Sequence, residues 1–559
     1  MKKVVCTVLT IISIILCTSA FVACEGNEPL EYVFLDSPEN VTVEEFWILT
    51  WDEVENAEGY EISVENGENY ETENTRLNMQ FLEPGETYTV SVKAKGGNEK
   101  SGKYFLDSDT TEIICDMPEP FDEFTYTLIN GGTSYEVSAG EKITSDTLIL
   151  PTYHEDGLPI TRIAEDAFGE SGISAVRFPQ KLESIGGRAF SKNDLQEAIF
   201  PLSLRSIEIL AFSQCKNLKN IENLPNRIDQ RSFIVTAIEE LIIPERTEYI
   251  GDEAFATCDS LAKITIPAEP PDLGCDVFKD TPWYEAQPNG FIYFGKTLYR
   301  HKGDFVKDTQ LDLSELPINK IADGAFLNCL GLSKVKIPAE IQLGKDVFHS
   351  CEDLIEVQFA KDVTYIPERT FFGCSNLLKV EFPEELTEIG ADAFYGMGAN
   401  RFIALGKGAL KLVLPKTVTK IGRDSFCYAY ISEIVLSENL TSLDASFTYC
   451  SFVKWIVIPD NIMSLDGTFY NCTGLRWAIL PKNLKVLSAS TFENTRLKKI
   501  YIKGTQEECV EWLNDNAETM QAFIEEQEIT VYAYSEEPPT EEGDFWHYDT
   551  DGVTPIPWE

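Results

Sequence analysis

Histidines, cysteines and paired carboxylates are where chemistry would be sought first. This chain of 559 residues has only four histidines, His154, His301, His349 and His547, each in a different stretch. Proton transfer needs such a side chain within hydrogen-bond reach of its partner. None of the four is framed by HExxH, and neither GxSxG nor GxGxxG occurs, so the zinc-hydrolase, acyl-transfer and dinucleotide signatures are missing. The 14 cysteines include no CxxC pair, which leaves a zinc or dithiol centre without ligand spacing. The stretch DTDG at 549–552 is too short for a calcium loop. With 92 acidic residues, some carboxylates fall at glycosidase-like spacing by chance, and abundance without a pocket is no evidence for hydrolysis. The expectation is a non-enzymatic protein with no cofactor and no metal; an unrecognised hydrolase is the least favoured reading.

The cysteines instead follow a period. IADGAFLNCLGLSKVKIP at 321–338 returns at 250–267 as IGDEAFATCDSLAKITIP. A phenylalanine recurs at 168, 190, 212, 233, 255, 278, 326, 348, 372, 394, 426, 447, 469 and 492. The spacing is about 22 residues, inside the range of solenoid repeats, and two longer gaps mark insertions. Cys215, Cys258, Cys329, Cys351, Cys374, Cys450 and Cys472 share one slot just after the phenylalanine. There they act as small buried hydrophobes. Column neighbours lie close enough for disulfides to be an alternative, but free thiols are expected, because a column of equal cysteines has no pairing rule.

The elements that position these residues follow from LSKVKIP. Leu332, Val335 and Ile337 point inward and Lys334 and Lys336 outward, which predicts a short strand. Pro338 ends it, since proline supplies no ladder donor. A turn, an isoleucine and a short helical segment such as DVFHSCEDL or DAFYGM then return the phenylalanine to the core. One unit cannot bury these side chains alone, whereas stacked units bury them as columns. The outward strand positions are mixed and polar early on: Arg177, Thr265, Lys336, Gln358 and Glu381. Later they read Val435, Trp455 with Val457, Trp477 with Ile479, and Lys499 with Tyr501. The two tryptophans would stack on adjacent coils, about 5 Å apart. Neighbouring exposed aromatics suit recognition of a protein or a sugar face. Trp455, Val457, Trp477, Ile479 and Tyr501 are therefore the candidate binding residues.

Several stretches carry family resemblances. FPEELTEIGADAFYGM at 382–397 and LPKTVTKIGRDSFCYAYISEIVL at 414–436 match LPxxLxxIGxxAFxxCxxLxxIxIP. This resembles the BspA-type leucine-rich repeat, the short phenylalanine-bearing class of bacterial and some protist surfaces, over roughly residues 124–504. GLPITRIAEDAF at 157–168 is similar to the entry into that family's first unit. The resemblance implies a curved right-handed solenoid with a strand ladder on its concave side, a role in adhesion and partner binding, and no shared catalytic residues. Trp51, Tyr60, Leu82, Pro84, Gly85 and Tyr88 resemble a fibronectin type III domain, with LEPGETY as its tyrosine corner. At the start, MKK, an apolar run and FVAC at 21–24 read as a secretion signal. Ala23 before Cys24 resembles a bacterial lipobox, which implies a diacylated Cys24 after cleavage.

Smaller cues complete the plan. PNG at 288–290, between alternating aromatic runs, predicts a hairpin bulging from the array. GTQEECVEWLNDNAETMQAFIEEQE reads as helix and ITVYAY as a strand, the cap that a repeat array requires. Trp546, His547 and Tyr548 are expected to pack on that cap. The fold class is thus a leucine-rich repeat solenoid, a short strand plus a short helix or turn per unit, preceded by an all-β fibronectin type III-like sandwich. The domains are a signal at 1–23, an anchor and linker at 24–35, the sandwich at 36–118, and the solenoid at 119–504 with a hairpin near 281–310. An α/β cap and tail follow at 505–559. Hydrophobic content of 43% is that of a folded chain. A net charge of −46 repels nucleic acid and anionic headgroups. Partners are therefore an external protein or glycan, with the membrane reached only through the lipid. The expectation is a monomer held at the outer face of a bacterial cytoplasmic membrane. It would bind a partner protein or neighbouring cell through the concave face, with surface glycan capture for separate enzymes as the alternative.

Overall fold

The computed structural model describes residues 31–558 other than 45–47, 66, 68, 80–81, 83–84, 101–102, 117–122, 141–142, 144, 400–408, 516 and 541. The expected leader and Cys24 lie outside the described residues. The chain forms two compact units: residues 1–123 with 147–160 and 175–180, and residues 124–146, 161–174 and 181–559.

The first unit holds a β-sandwich. One antiparallel sheet joins Thr42–Glu44, Ile48–Thr50 and Arg76–Asn78; the other joins Thr110–Asp116, Thr87–Lys95, Gly59–Val64 and Asn69–Thr72. Alternation decides which faces meet: Tyr60, Ile62 and Val64 are buried, as are Val90, Val92 and Ala94. Trp51 packs edge-on against Tyr60, and the Tyr60 hydroxyl accepts the Val54 N–H at 2.8 Å. Tyr88 is half-buried against the same core, while Pro84 of the expected tyrosine corner lies outside the described residues. Arg177 corrects an expectation. It is fully buried, not an outward polar residue, and its guanidinium donates to the carbonyls of Leu150 at 3.0 Å and Leu82 at 2.5 Å.

The second unit is a repeat solenoid of short parallel strands. A first ladder uses the longer strands, as in Leu332–Ile337, which ends at Pro338, Glu356–Phe359 and Lys379–Glu381. A second ladder, not foreseen, is made of two-residue strands at the recurring isoleucine slot, as in Ser184–Ile185, Ser206–Ile207 and Arg227–Ile228. The predicted short helix is corrected: among the described residues no α-helix forms at the column phenylalanines, and of these only Phe492 lies in a short 3-10 helix, Ala489–Phe492. Asp166 and Glu170 have φ of 56° and 57°, and Arg188 and Lys192 repeat this at 54° and 59°. Such left-handed residues break an α-helix. The freed N–H groups bond to the next coil instead: Phe168 to the Ala189 carbonyl and Phe190 to the Ala211 carbonyl, both at 2.8 Å. Among the described residues α-helix is confined to Pro282–Glu285, Gln506–Asp515 and Ala517–Gln527.

The phenylalanines form the expected column. Phe190, Phe212, Phe233 and Phe255 stack at 5.2 Å with rings nearly parallel. One member is corrected: Phe371, not Phe372, stacks on Phe348 at 5.4 Å and Phe394 at 5.3 Å. Phe372 lies outside the column on the turn. The hairpin is corrected too. Its strands are Gly290–Phe294 and Thr297–Lys302, so the turn is Gly295–Lys296 and not PNG. Thr297–Lys302 does not bulge away; it pairs in parallel with Lys320–Ile321 as a rung of the second ladder. At the far end Thr530–Tyr534, Phe545–Tyr548 and Pro555–Pro557 extend the first ladder. The last strand carries two prolines, which blunt its free edge.

Candidate functional site

The five candidate residues share the outward side of three consecutive rungs, Trp455–Val457, Trp477–Leu480 and Lys499–Ile502. Register pairs Trp455 with Trp477, and their rings lie 5.2 Å apart at 7°. Trp477 meets Tyr501 edge-on at 6.0 Å. Beyond that point the surface closes over. Tyr501 stacks on Tyr532 at 5.1 Å and meets Trp546 at 5.5 Å, while the Trp546 indole donates to the Ile502 carbonyl at 3.0 Å. Ile479 and Tyr501 are buried, and Trp455, Val457 and Trp477 are half-buried. The expectation of five outward-facing binding residues is therefore corrected: three remain partly accessible and two are covered. Ile479, Tyr501 and Trp546 form a small second core on the outward side, which also pushes the Tyr501 phenol up to about 12 through burial. Trp546 packs on the cap strand as expected, meeting Tyr534 at 5.1 Å, and reaches beyond it to Tyr501.

Further back the same outward positions carry charge. Glu356 accepts from Lys334 and Lys379 at 3.0 Å each, and Asp312 accepts from Lys336 at 2.8 Å.

The histidines are not brought together. His301 replaces phenylalanine in the column: it is buried, stacks on Phe305 at 3.8 Å, and donates its backbone N–H to the Ala325 carbonyl as its neighbours do. Cys329 lies 3.7 Å from His301 Nδ1, a pairing of types used in nucleophilic catalysis. Burial lowers the His301 pKa and pushes the Cys329 thiol up to about 11. Both are thus held neutral, the opposite of an activated thiolate. His349 Nδ1 lies 2.6 Å from the Asp346 carboxylate on a turn, and His547 stacks on Trp558 at 3.9 Å.

The cysteine slot has a polar role that the hydrophobic reading missed. Cys215, Cys351, Cys374, Cys450 and Cys472 each donate to the previous coil's column carbonyl at 3.1 Å. Asn193 does the same job for Phe168 at 2.7 Å, and that substitution in the sequence was the available clue. All cysteines among the described residues are free thiols.

Residues 290–297 also spell G-x-x-x-x-G-K-T, the spacing of a phosphate-binding loop. The fold denies it the required strand–loop–helix setting, since these residues are the two antiparallel strands and the tight turn of the hairpin. A cleft of about 270 Å³ on the second ladder is lined by Tyr249, Lys320, Asp323 and Tyr365. Burial raises Asp323 to about 6. Among the described residues no group of three or more His, Cys, Asp or Glu side chains is placed to hold a metal ion.

Comparison with known proteins gives one family. The model of the BspA type leucine rich repeat region matches in six copies, over residues 160–284, 304–409 and 406–519. No curated protein matches the chain. Among solved structures, a leucine-rich repeat protein from Bacteroides ovatus is 21% identical; the match covers 71% of this chain and 96% of that one, with a TM-score of 0.30. A leucine rich cell surface protein from Faecalibacterium prausnitzii is 19% identical over 70% and 97% of the two chains, with a TM-score of 0.30. The pneumococcal vaccine antigen PcpA is 17% identical over 71% and 96%, with a TM-score of 0.27.

Proposed function

This chain belongs to the BspA-type leucine-rich repeat family, and from that premise we propose that it is a non-enzymatic bacterial surface protein that binds an external protein partner. The observation that carries the reading is the parallel Trp455–Trp477 pair on the outward side of the ladder. Tyr501, itself held by Trp546, braces Trp477 from one side, so the pair gives up little side-chain freedom on binding. Rigid aromatic anchors of this kind carry most of an interface's energy. The proposed layout is an acylated Cys24, a fibronectin type III-like spacer at 36–118, the solenoid at 119–504 and the cap at 505–559. This arrangement would hold a monomer at the outer face of the membrane with its patch displayed outward. The stacked indoles also suit a sugar face, so glycan capture is the second reading.

Two experiments test this. Fatty-acid labelling of the wild-type precursor and of Cys24→Ala should differ; equal labelling rejects the anchor. For binding, the secreted chain without its leader is presented to a glycan array and to surface-protein extracts. Trp455→Ala with Trp477→Ala should weaken the strongest interaction at least about tenfold, the effect of losing one hot spot, with the melting temperature nearly unchanged. Wild-type binding by the double variant would sink the assignment.

A further inference from the structure

Along the turns beside the column, His349, Phe372, Tyr395, Tyr428, Tyr449 and Tyr470 form an exterior row. Successive ring centroids are 4.7, 4.5, 5.5, 4.3 and 5.8 Å apart. At its start the chain supplies its own cation. The Arg369 guanidinium lies 5.0 Å from the centre of the Phe372 ring, and its Nε is 3.0 Å from the Asp346 carboxylate.

Arg369 stands two residues before its column phenylalanine, Phe371. In the coils of Phe447 and Phe469 that position is Ala445 and Gly467. There the row opens into a groove of about 390 Å³ lined by Asp424, Tyr428, Ala445, Thr448, Tyr449 and Gly467 among others. A Cβ added at Gly467 would meet nothing within 4 Å. The surroundings of Arg369 have counterparts here. Asp424 stands two residues before Phe426 as Asp346 stands before Phe348, while Tyr428 and Tyr449, one residue further along their turns than His349 and Phe372, continue the aromatic row with rings 4.3 Å apart. The arginine is replaced by Ala445, and Cys427 and Thr448 stand at the positions of His349 and Phe372, with the Thr448 hydroxyl donating to Asp424 at 3.3 Å.

We propose that this groove binds an arginine side chain of a basic protein partner. The ring faces attract a cation, the Asp424 carboxylate pairs with it, and a flat guanidinium fits between stacked rings better than an ammonium does. The net charge of −46 steers basic ligands toward the chain. Arg423 touches Asp424 at 3.3 Å, but its side chain is 78% exposed, so this pair is weak and yields to an incoming guanidinium.

The test is fluorescence anisotropy on the full chain with a labelled oligo-arginine peptide and its uncharged citrulline counterpart, at physiological salt. The arginine peptide should bind and the citrulline peptide should not. Ala445→Arg installs the chain's own cation, at a φ of 48° that matches the 55° of Arg369. It should weaken binding at least about tenfold by filling the groove, as should Asp424→Asn by removing the paired carboxylate. Glu155→Gln, an exposed carboxylate outside the row, should leave binding unchanged. Failure of the wild type to bind, equal binding of citrulline, wild-type binding by Asp424→Asn, or an equal loss in Glu155→Gln each overturns the proposal. Melting curves check Ala445→Arg; if it unfolds, Asp424→Asn alone decides between the two outcomes.

Discussion

Lys336 and Ile479 occupy equivalent outward positions, each one residue before the isoleucine or leucine that precedes a strand-ending proline. Lys336 is exposed and paired with Asp312 at 2.8 Å. Ile479 is buried with Tyr501 and Trp546. The inner sides of the two regions are alike: Val335 and Val357 in one, Ile456 and Ala478 in the other, all buried. Stacking sets the inner side, because every coil must bury its apolar residues against its neighbours. The outward side owes nothing to the column, so neighbouring rungs can be a charged ladder in one stretch and an aromatic one in another. The fold tolerates both, and the difference between them is where recognition can be written.

An exchange of the two side chains should break the symmetry most strongly. Ile479→Lys places an ammonium inside the outward core with no partner provided, a loss on the order of 3–5 kcal/mol for an uncompensated buried charge. Lys336→Ile removes one exposed ion pair and should cost under about 1 kcal/mol. Urea midpoints with unchanged slopes would measure both. Equal costs would mean that the aromatic rungs are a surface and not a second core.

The inner column should show no such asymmetry. Cys374 and Cys472 make the same 3.1 Å bond to Phe348 and Phe447 carbonyls in the two regions. Replacing either with alanine loses one buried hydrogen bond and a sulfur's volume, about 1–2 kcal/mol. A cost confined to one of them would show that the columns are not equivalent. Burial pushes the Cys472 thiol up to about 12, so a thiol reagent should modify it only on unfolding.

How far the sequence alone reached follows from which signals are local. The period was legible because a buried phenylalanine in every coil leaves a mark that needs no partner. TFFGC offers two adjacent phenylalanines, and counting cannot say which faces inward; the structure takes Phe371. The turns were misread as helix because Asp and Glu tolerate helix and left-handed turn alike, and the choice is made by hydrogen bonds to the next coil. The stacked tryptophans were legible from strand alternation. The burial of Tyr501 was not, since its cover, Trp546, lies 45 residues on and reaches back through the Ile502 carbonyl. Arg177 failed for the same reason: its partners Leu82 and Leu150 are remote in the chain.

The smallest expected effect separates the two outward faces by pH. The Lys336 ammonium and the Ser314 hydroxyl hold Asp312 down to about 2, and Lys334 and Lys379 hold Glu356 below its ordinary value. A carboxylate depressed in the fold adds stability above its unfolded pKa, and this is lost as pH falls through the folded value. The charged rungs should therefore loosen between pH about 4 and about 2. The phenol of Tyr501 behaves oppositely. Burial raises it from 10.0 to about 12, so its contribution is complete below the unfolded value and is lost as pH rises toward the folded one. Acid should thus reduce amide protection at 334–336 and 356–358 before it does at 477–479. Alkali should instead shift the indole emission of the Trp455–Trp477–Trp546 cluster while leaving the charged rungs paired until the lysines titrate. The acid effect is small because these pairs are exposed to solvent. Parallel loss of protection in both stretches on acidification would show that the ladder opens as one body, and that the two faces differ in chemistry but not in local stability.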